Sequence, residues 1–176
     1  LLTSEPVTLE NLPDIEDVAS MLECARRFGA AVTRRPQTNS VTIHAQRLRT
    51  ARLDPSLAAK IRTSILFAGP LLARKGKVSL PPPGGDGIGH RRLDTHFEGF
   101  EALGAKVKYT KTRLVLETGK GGTAYLKGAA IVLDEASVTA TENIIMAAAL
   151  AYGDTVIYNA ALRAAPSGSL RDAQRN

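Results

Sequence analysis

The sequence predicts a mixed α/β fold assembled from a repeated strand and helix unit. Three observations carry that expectation. Short strand signals before a turn recur near Val7, Val78 and Val156, a period of about 75 residues. The first two lead into helices that end alike, in FGAAV from Phe28 and LGAKV from Leu103. Two further segments, SLAAKIRTSILFAGPLLAR and SVTATENIIMAAALAYG, are apolar and rich in Ala, Ile and Leu, as buried helices are.

Taken in order, VTLENLPDIEDV opens with a strand at Val7. DVASMLECARRFGA follows, with Val18, Met21, Leu22, Ala25 and Phe28 at helical spacing. Gly29 suits the helix C-terminus and the next strand starts just beyond it. NSVTIHA at 39–45 is a further strand, rich in β-branched residues, and the apolar helix reaching Arg74 closes the unit. The second unit repeats this: a strand at Val78, an amphipathic segment from Leu93, Gly104 at its end, the strand TRLVLET at 112–118, and the apolar helix from Ser137. TVIYNAA then begins a third unit. The order is strand, helix, strand, strand, helix, and repeats of this length suggest parallel elements wrapped around a pseudo-symmetry axis.

Composition narrows the function. The chain has 176 residues and 44% hydrophobic content, enough for a sizeable core. Its net charge of +6 is dispersed, with only 5% aromatic residues and no Trp, which argues against nucleic acid as partner. No apolar run is long enough to span a bilayer and no secretory leader is evident, so no membrane partner and a cytoplasmic location are expected. Cys24 is a lone cysteine on the amphipathic helix DVASMLECARRFGA and reads as a packing or surface residue rather than a nucleophile. His44, His90 and His96 lie at no metal-ligand spacing, and no cofactor is expected.

The chemistry concentrates at 80–96, LPPPGGDGIGHRRLDTH. Prolines run into Gly84, Gly85, Gly87 and Gly89, which hold one carboxylate, Asp86, at a loop tip. Arg91 and Arg92 follow, and guanidinium groups suit phosphate and carboxylate. Anion binding beside a placed acid is one reading; a plain turn with Asp as a turn residue is the other.

The loop resembles the catalytic loop of the enolpyruvyl transferase family, in the branch that uses UDP-N-acetylglucosamine. That pattern is PGG-Cys/Asp-x-IG-x-R-x-x-D-x-H, met here by Pro83, Gly84, Gly85, Asp86, Ile88, Gly89, Arg91, Asp94 and His96. LLTSEPVTLENLPDIEDV, IRTSILFAGPLLAR and SVTATENIIMAAALAYGDTVIYNAA resemble further family segments in the same order. The departures are Arg92 and Leu93, where many members have Pro and Val, Thr139 for a usual Gly, Glu135 for a frequent Lys, and two extra loop prolines.

The resemblance implies an inside-out α/β barrel lobe, here incomplete, over residues 1–161. It also implies transfer of the enolpyruvyl group of phosphoenolpyruvate to the 3-hydroxyl of UDP-N-acetylglucosamine, in peptidoglycan synthesis. Asp86 would be the general acid. Arg62 and the stretch Arg91, Arg92, Leu93, Asp94 and Thr95 would bind substrate, as would Glu135, Ala136, Ser137 and Val138 at a helix start. Ser137 serves as helix cap, as ligand contact, or as both. Asp94 and His96 either belong to the site or only cap and pack their helix. The family also uses a Lys-Asn pair and an opposing lobe with a general-base Asp, so part of a site and an inactive isolated chain are expected, with self-association through uncovered surfaces. A shikimate 3-phosphate enzyme and a non-catalytic anion-binding module are the alternatives. Residues 162–176, LRAAPSGSLRDAQRN, leave the pattern; codons read one base later permit SEPHLQDL, the family continuation, so a frameshift is one reading of this tail and an ordinary disordered tail the other.

Overall fold

The computed structural model describes residues 1–84, 92–119, 122 and 125–161. The tail at 162–176 and the loop residues 85–91, with Asp86 and Arg91, lie outside the described residues.

The first unit is β1 (Pro6–Leu9), α1 (Glu16–Phe28), β2 (Ala31–Arg35) and β3 (Ser40–His44). Gly29 ends α1 at φ 106°, a left-handed conformation that residues with a Cβ rarely adopt, and Gly104 ends the matching helix of the second unit at φ 88°. A short helix α2 (Pro55–Ala58) is capped by Asp54, whose carboxylate accepts from Ser56 N at 2.8 Å. A 3-10 turn (Arg62–Phe67) then runs into α3 (Ala68–Lys75). The continuous helix expected through 56–74 is thus broken into three pieces. Pro70 supplies a physical reason: its ring and missing N–H are tolerated only in the first turn of an α-helix, which is where it falls in α3.

The second unit is β4 (Lys77–Leu80), α4 (Asp94–Ala102), β5 (Ala105–Tyr109) and β6 (Leu114–Thr118), followed by β7 (Ala130–Val132), α5 (Val138–Ala148) and β8 (Val156–Tyr158). Both units make the same sheet. The strand order is β1-β3-β2 in one and β4-β6-β5 in the other, with Leu9 opposite Val41 and Leu80 opposite Leu114. All four pairings within these two sheets are antiparallel. The short links β2 to β3 and β5 to β6 close hairpins, and a hairpin can only pair antiparallel. Parallel pairing appears between β7 and β8, Ala130 opposite Val156, where α5 provides the crossover. Among the described residues these sheets stay separate and close no barrel.

One continuous core joins the units. Phe28, Leu71, Leu72, Leu80, Phe100, Leu103, Leu114, Leu116 and Ile144 are buried in it, and the Phe28 and Phe67 rings meet at 5.1 Å. Cys24 is fully buried there, the packing position of the two open to it from sequence, and burial pushes its thiol up to about 11. Arg74 ties the start of the chain to the core's edge. Its guanidinium donates to the carbonyls of Ala45 at 2.6 Å, Leu1 at 3.0 Å, Thr3 at 3.1 Å and Gln46 at 3.2 Å. No described helix is long and apolar enough to cross a membrane.

Candidate functional site

Three elements bring the described candidates together: the 3-10 turn that begins at Arg62, the start of α4, and the segment leading into α5. Upstream, the loop stem is fixed where Gly84 N–H donates to the carbonyl of Ala58 at the end of α2, 2.9 Å away.

The start of α4 and the start of α5 are joined by an aspartate. Asp134 accepts from the Thr95 hydroxyl at 2.6 Å and pairs with Arg92 Nη2 at 3.2 Å, while Arg92 Nε donates to Asp94 at 2.8 Å. The Thr95 hydroxyl, then the Arg92 charge, hold the Asp134 carboxyl below the ordinary carboxylate range. The bond to Asp94 and the charge of Asp134 hold Arg92 more firmly protonated than a free arginine. So the stretch from Arg92 to Thr95 and the stretch from Glu135 to Val138 face one another through Asp134, which the sequence reading did not single out. Its only signal was adjacency to Glu135.

The individual side chains divide sharply. Arg92, Asp94, Glu135 and Ala136 are exposed, and Ser137 and Val138 are half-buried. Leu93 is buried in the core, so it can offer a ligand its backbone but not its side chain. Thr95 is buried with its hydroxyl committed to Asp134. Asp94 sits in the first turn of α4, where a carboxylate complements the helix dipole, but it makes no side-chain cap. Ser137 does cap α5: its Oγ accepts from Ala140 N at 3.4 Å, and the free N–H groups of that turn point outward from the same end.

Behind this face lies a buried polar cluster. His96 is 2% exposed and Asn143 fully buried. Asn143 Oδ1 accepts from Gly69 N–H at 2.7 Å, and Nδ2 donates to the Ile65 carbonyl at 2.8 Å and to His96 Nδ1 at 3.2 Å. Gly69 can only donate and the Ile65 carbonyl can only accept, so the amide orientation is fixed. His96 Nδ1 must then accept, the ring proton sits on Nε2, and it points at Thr139 Oγ1, 3.3 Å away. Burial, and then the nearby Arg62 charge, lower His96 from its ordinary 6.5 to about 4. His96 is neutral at physiological pH and packs its helix, the plainer of the two roles open to it from sequence. Asn143 went unnoticed in the sequence because nothing marks one polar residue in an apolar helix as a partner for residues on other elements.

No group of described residues has the makings of a metal site. The described face carries the Arg92 guanidinium, paired with Asp94 and Asp134, beside the N-terminal end of α5, where helix N–H groups favour an anion.

Comparison with known proteins gives the same direction. UDP-N-acetylglucosamine 1-carboxyvinyltransferase from Treponema pallidum is 53% identical over 161 residues, covering 92% of this chain and 36% of that protein. Its counterpart from Bradyrhizobium diazoefficiens is 54% identical with the same coverage. The chain therefore spans little more than a third of the length of these relatives. Among solved structures, the enolpyruvyl transferase NikO from Streptomyces tendae superposes with a TM-score of 0.72 at 22% identity, covering 89% of this chain and 35% of that one. EPSP synthase from Acinetobacter baumannii superposes with a TM-score of 0.65, covering 88% of this chain and 35% of its own. These likenesses establish the fold as that of an incomplete enolpyruvyl transferase. With residues 1–167 also matching the family described as EPSP synthase (3-phosphoshikimate 1-carboxyvinyltransferase), this chain belongs to the enolpyruvyl transferase family.

Proposed function

We propose that this chain carries the nucleotide-sugar face of an enzyme that transfers the enolpyruvyl group of phosphoenolpyruvate to the 3-hydroxyl of UDP-N-acetylglucosamine. The observation that carries this reading is the Asp134 link, which sets the start of α4 and the start of α5 on one surface. Arg62, Arg91, Arg92 and the backbone from Leu93 to Thr95 contact the ligand from one side. The α5 start, Glu135 to Val138, receives the diphosphate from the other. The names of relatives at 53% and 54% identity favour this substrate over shikimate 3-phosphate.

In the reaction, the sugar 3-hydroxyl gives its proton to the general base of the opposing lobe as its oxygen bonds to the central carbon of phosphoenolpyruvate, and a proton from the general acid reaches the methylene carbon. Loss of phosphate and of one proton from the resulting methyl then restores the double bond. Asp86 is assigned as the proton donor, a role that requires a desolvated loop to keep a carboxyl protonated near neutral pH. The remaining parts of the site belong to the opposing lobe, so the isolated chain binds but does not turn over. It acts in the cytoplasm, in peptidoglycan synthesis, and residues 1–161 form the partial lobe. Residues 162–176 derive from a frameshift, which sequencing of the coding DNA tests; absence of a shifted open frame there removes that part.

Calorimetric titration with UDP-N-acetylglucosamine, shikimate 3-phosphate and inorganic phosphate tests the reading. Only the nucleotide sugar should bind measurably, and Arg62→Ala or Arg91→Ala should weaken it by about 1.5–3 kcal/mol, the worth of a charge-assisted hydrogen bond. No binding by folded protein at millimolar nucleotide sugar overturns it. Preference for shikimate 3-phosphate moves the chain to the sister activity, and binding of phosphate alone to a plain anion module.

A further inference from the structure

The buried cluster behind the ligand face joins the three described elements of the proposed site. Asn143 reaches from α5 to the Ile65 carbonyl, inside the 3-10 turn that begins at Arg62, and to Gly69 N–H, in the first turn of α3. A Cβ on Gly69 would run into the Asn143 backbone carbonyl, so α3 and α5 touch at this point with no room for a side chain between them. Asn143 and Thr139, one helical turn apart, also hold the two ring nitrogens of His96, on the α4 turn that carries Asp94 and Thr95. Neither residue belongs to the segments assigned to ligand contact. Thr139 stands where the family pattern usually has Gly, and glycine has no hydroxyl to offer His96 Nε2.

We propose that Asn143 and Thr139 are positioning residues: they clamp His96 in its neutral, Nε2-protonated form and so lock the Arg62 turn, the α4 start and the α5 start into one preassembled ligand face. The functional half of this statement rests on the nucleotide-sugar reading; the positional half does not. Every hydrogen-bonding atom of the Asn143 amide is occupied, so no rotation of the amide can relieve the loss of one partner. A buried network of this kind holds one arrangement because each alternative leaves a donor or acceptor without a partner.

Three readouts on the chain decide it. Nitrogen NMR of the His96 ring at neutral pH should show a bare Nδ1 and a protonated Nε2; a ring protonated on Nδ1 overturns the clamp outright. Asn143→Leu should shift the Arg62 Nε–H resonance and weaken UDP-N-acetylglucosamine about tenfold, the ratio expected for one lost hydrogen bond. A folded Asn143→Leu protein with an unmoved Arg62 resonance overturns the positional claim whatever the ligand does. Should Asn143→Leu not fold, the pair Thr139→Val and Thr139→Ser decides: Val, which leaves Nε2–H without an acceptor, should shift the Nε2–H resonance and weaken binding, and Ser should restore both. If the unaltered protein shows the expected ring and Arg62 signals but takes no nucleotide sugar, the substrate reading falls and the positional claim stands. Equal behaviour of the Val and Ser variants overturns the part assigned to Thr139.

Discussion

The two units share topology and differ in cover. β1 and β4 are both four-residue edge strands of a three-stranded antiparallel sheet, yet Val7 and Leu9 are 41% and 43% exposed while Val78 and Leu80 are 1% exposed. α3 packs on β4, and Ser79 exchanges backbone hydrogen bonds with Ala51 and Leu53. No described element covers β1 in the same way. A groove of about 430 Å³ opens instead beside it, lined by Leu9, Leu12, Met21, Leu22, Ile43 and Leu66. Strand pairing is thus set locally, by alternation and hairpin links, whereas burial is set by what lies on top. The polar cluster spans both units, joining His96 and Asn143 of the second to Ile65 and Gly69 of the first.

Core substitutions should break the comparison most widely. Leu114→Ala, in the covered sheet, should cost about 2–5 kcal/mol, against less than about 0.5 kcal/mol for Leu9→Thr in the open one. Urea unfolding of both variants reads the difference, and equal losses would mean that β1 is covered in solution. Acid should act on the second unit next. His96 binds a proton at about 4 in the folded chain against 6.5 when unperturbed, so the unfolded chain takes up the proton first. Stability should fall as pH drops from about 7 to about 4 and level off below, a loss of up to about 3 kcal/mol. In the His96→Asn variant that segment of the pH profile should flatten; an unchanged profile assigns the loss to other groups.

Helix caps sharpen the contrast further. Ser137 caps α5, but the residue before α1 is Ile15, which offers no capping side chain. Ser137→Ala should lose about 0.5–1 kcal/mol and Ile15→Ser should gain a similar amount, both read from thermal midpoints. The smallest effect on stability is expected for Leu9→Lys. Its mark should be on association: sedimentation of the unaltered chain should show concentration-dependent self-association that this variant weakens, since the groove is the apolar surface that β1 leaves open. A compact monomer at all concentrations would contradict it.

Much of this architecture was legible before any coordinates. Alternating β-branched residues, and the glycines after Phe28 and Leu103, mark elements whose causes are local, and the structure reproduces them. The interruption ahead of Pro70 was also local, and the apolar run concealed it. Asp134 and Asn143 were not legible, because their partners Thr95 and His96 lie 39 and 47 positions away and hydrogen bonds across such distances leave no period in the chain. The resemblance supplied the ligand segments, but not the aspartate that joins them.

Arg74 has a consequence for how the chain comes apart. Because one guanidinium holds the carbonyls of Leu1, Thr3, Ala45 and Gln46, residues 1–3 cannot separate from residues 45–46 one after another. They release as a block, when a single side chain lets go, and the amide protons of that stretch should exchange at one shared rate. An Arg74→Lys side chain, with a single ammonium and no planar fork, would turn that one step into a gradual peeling.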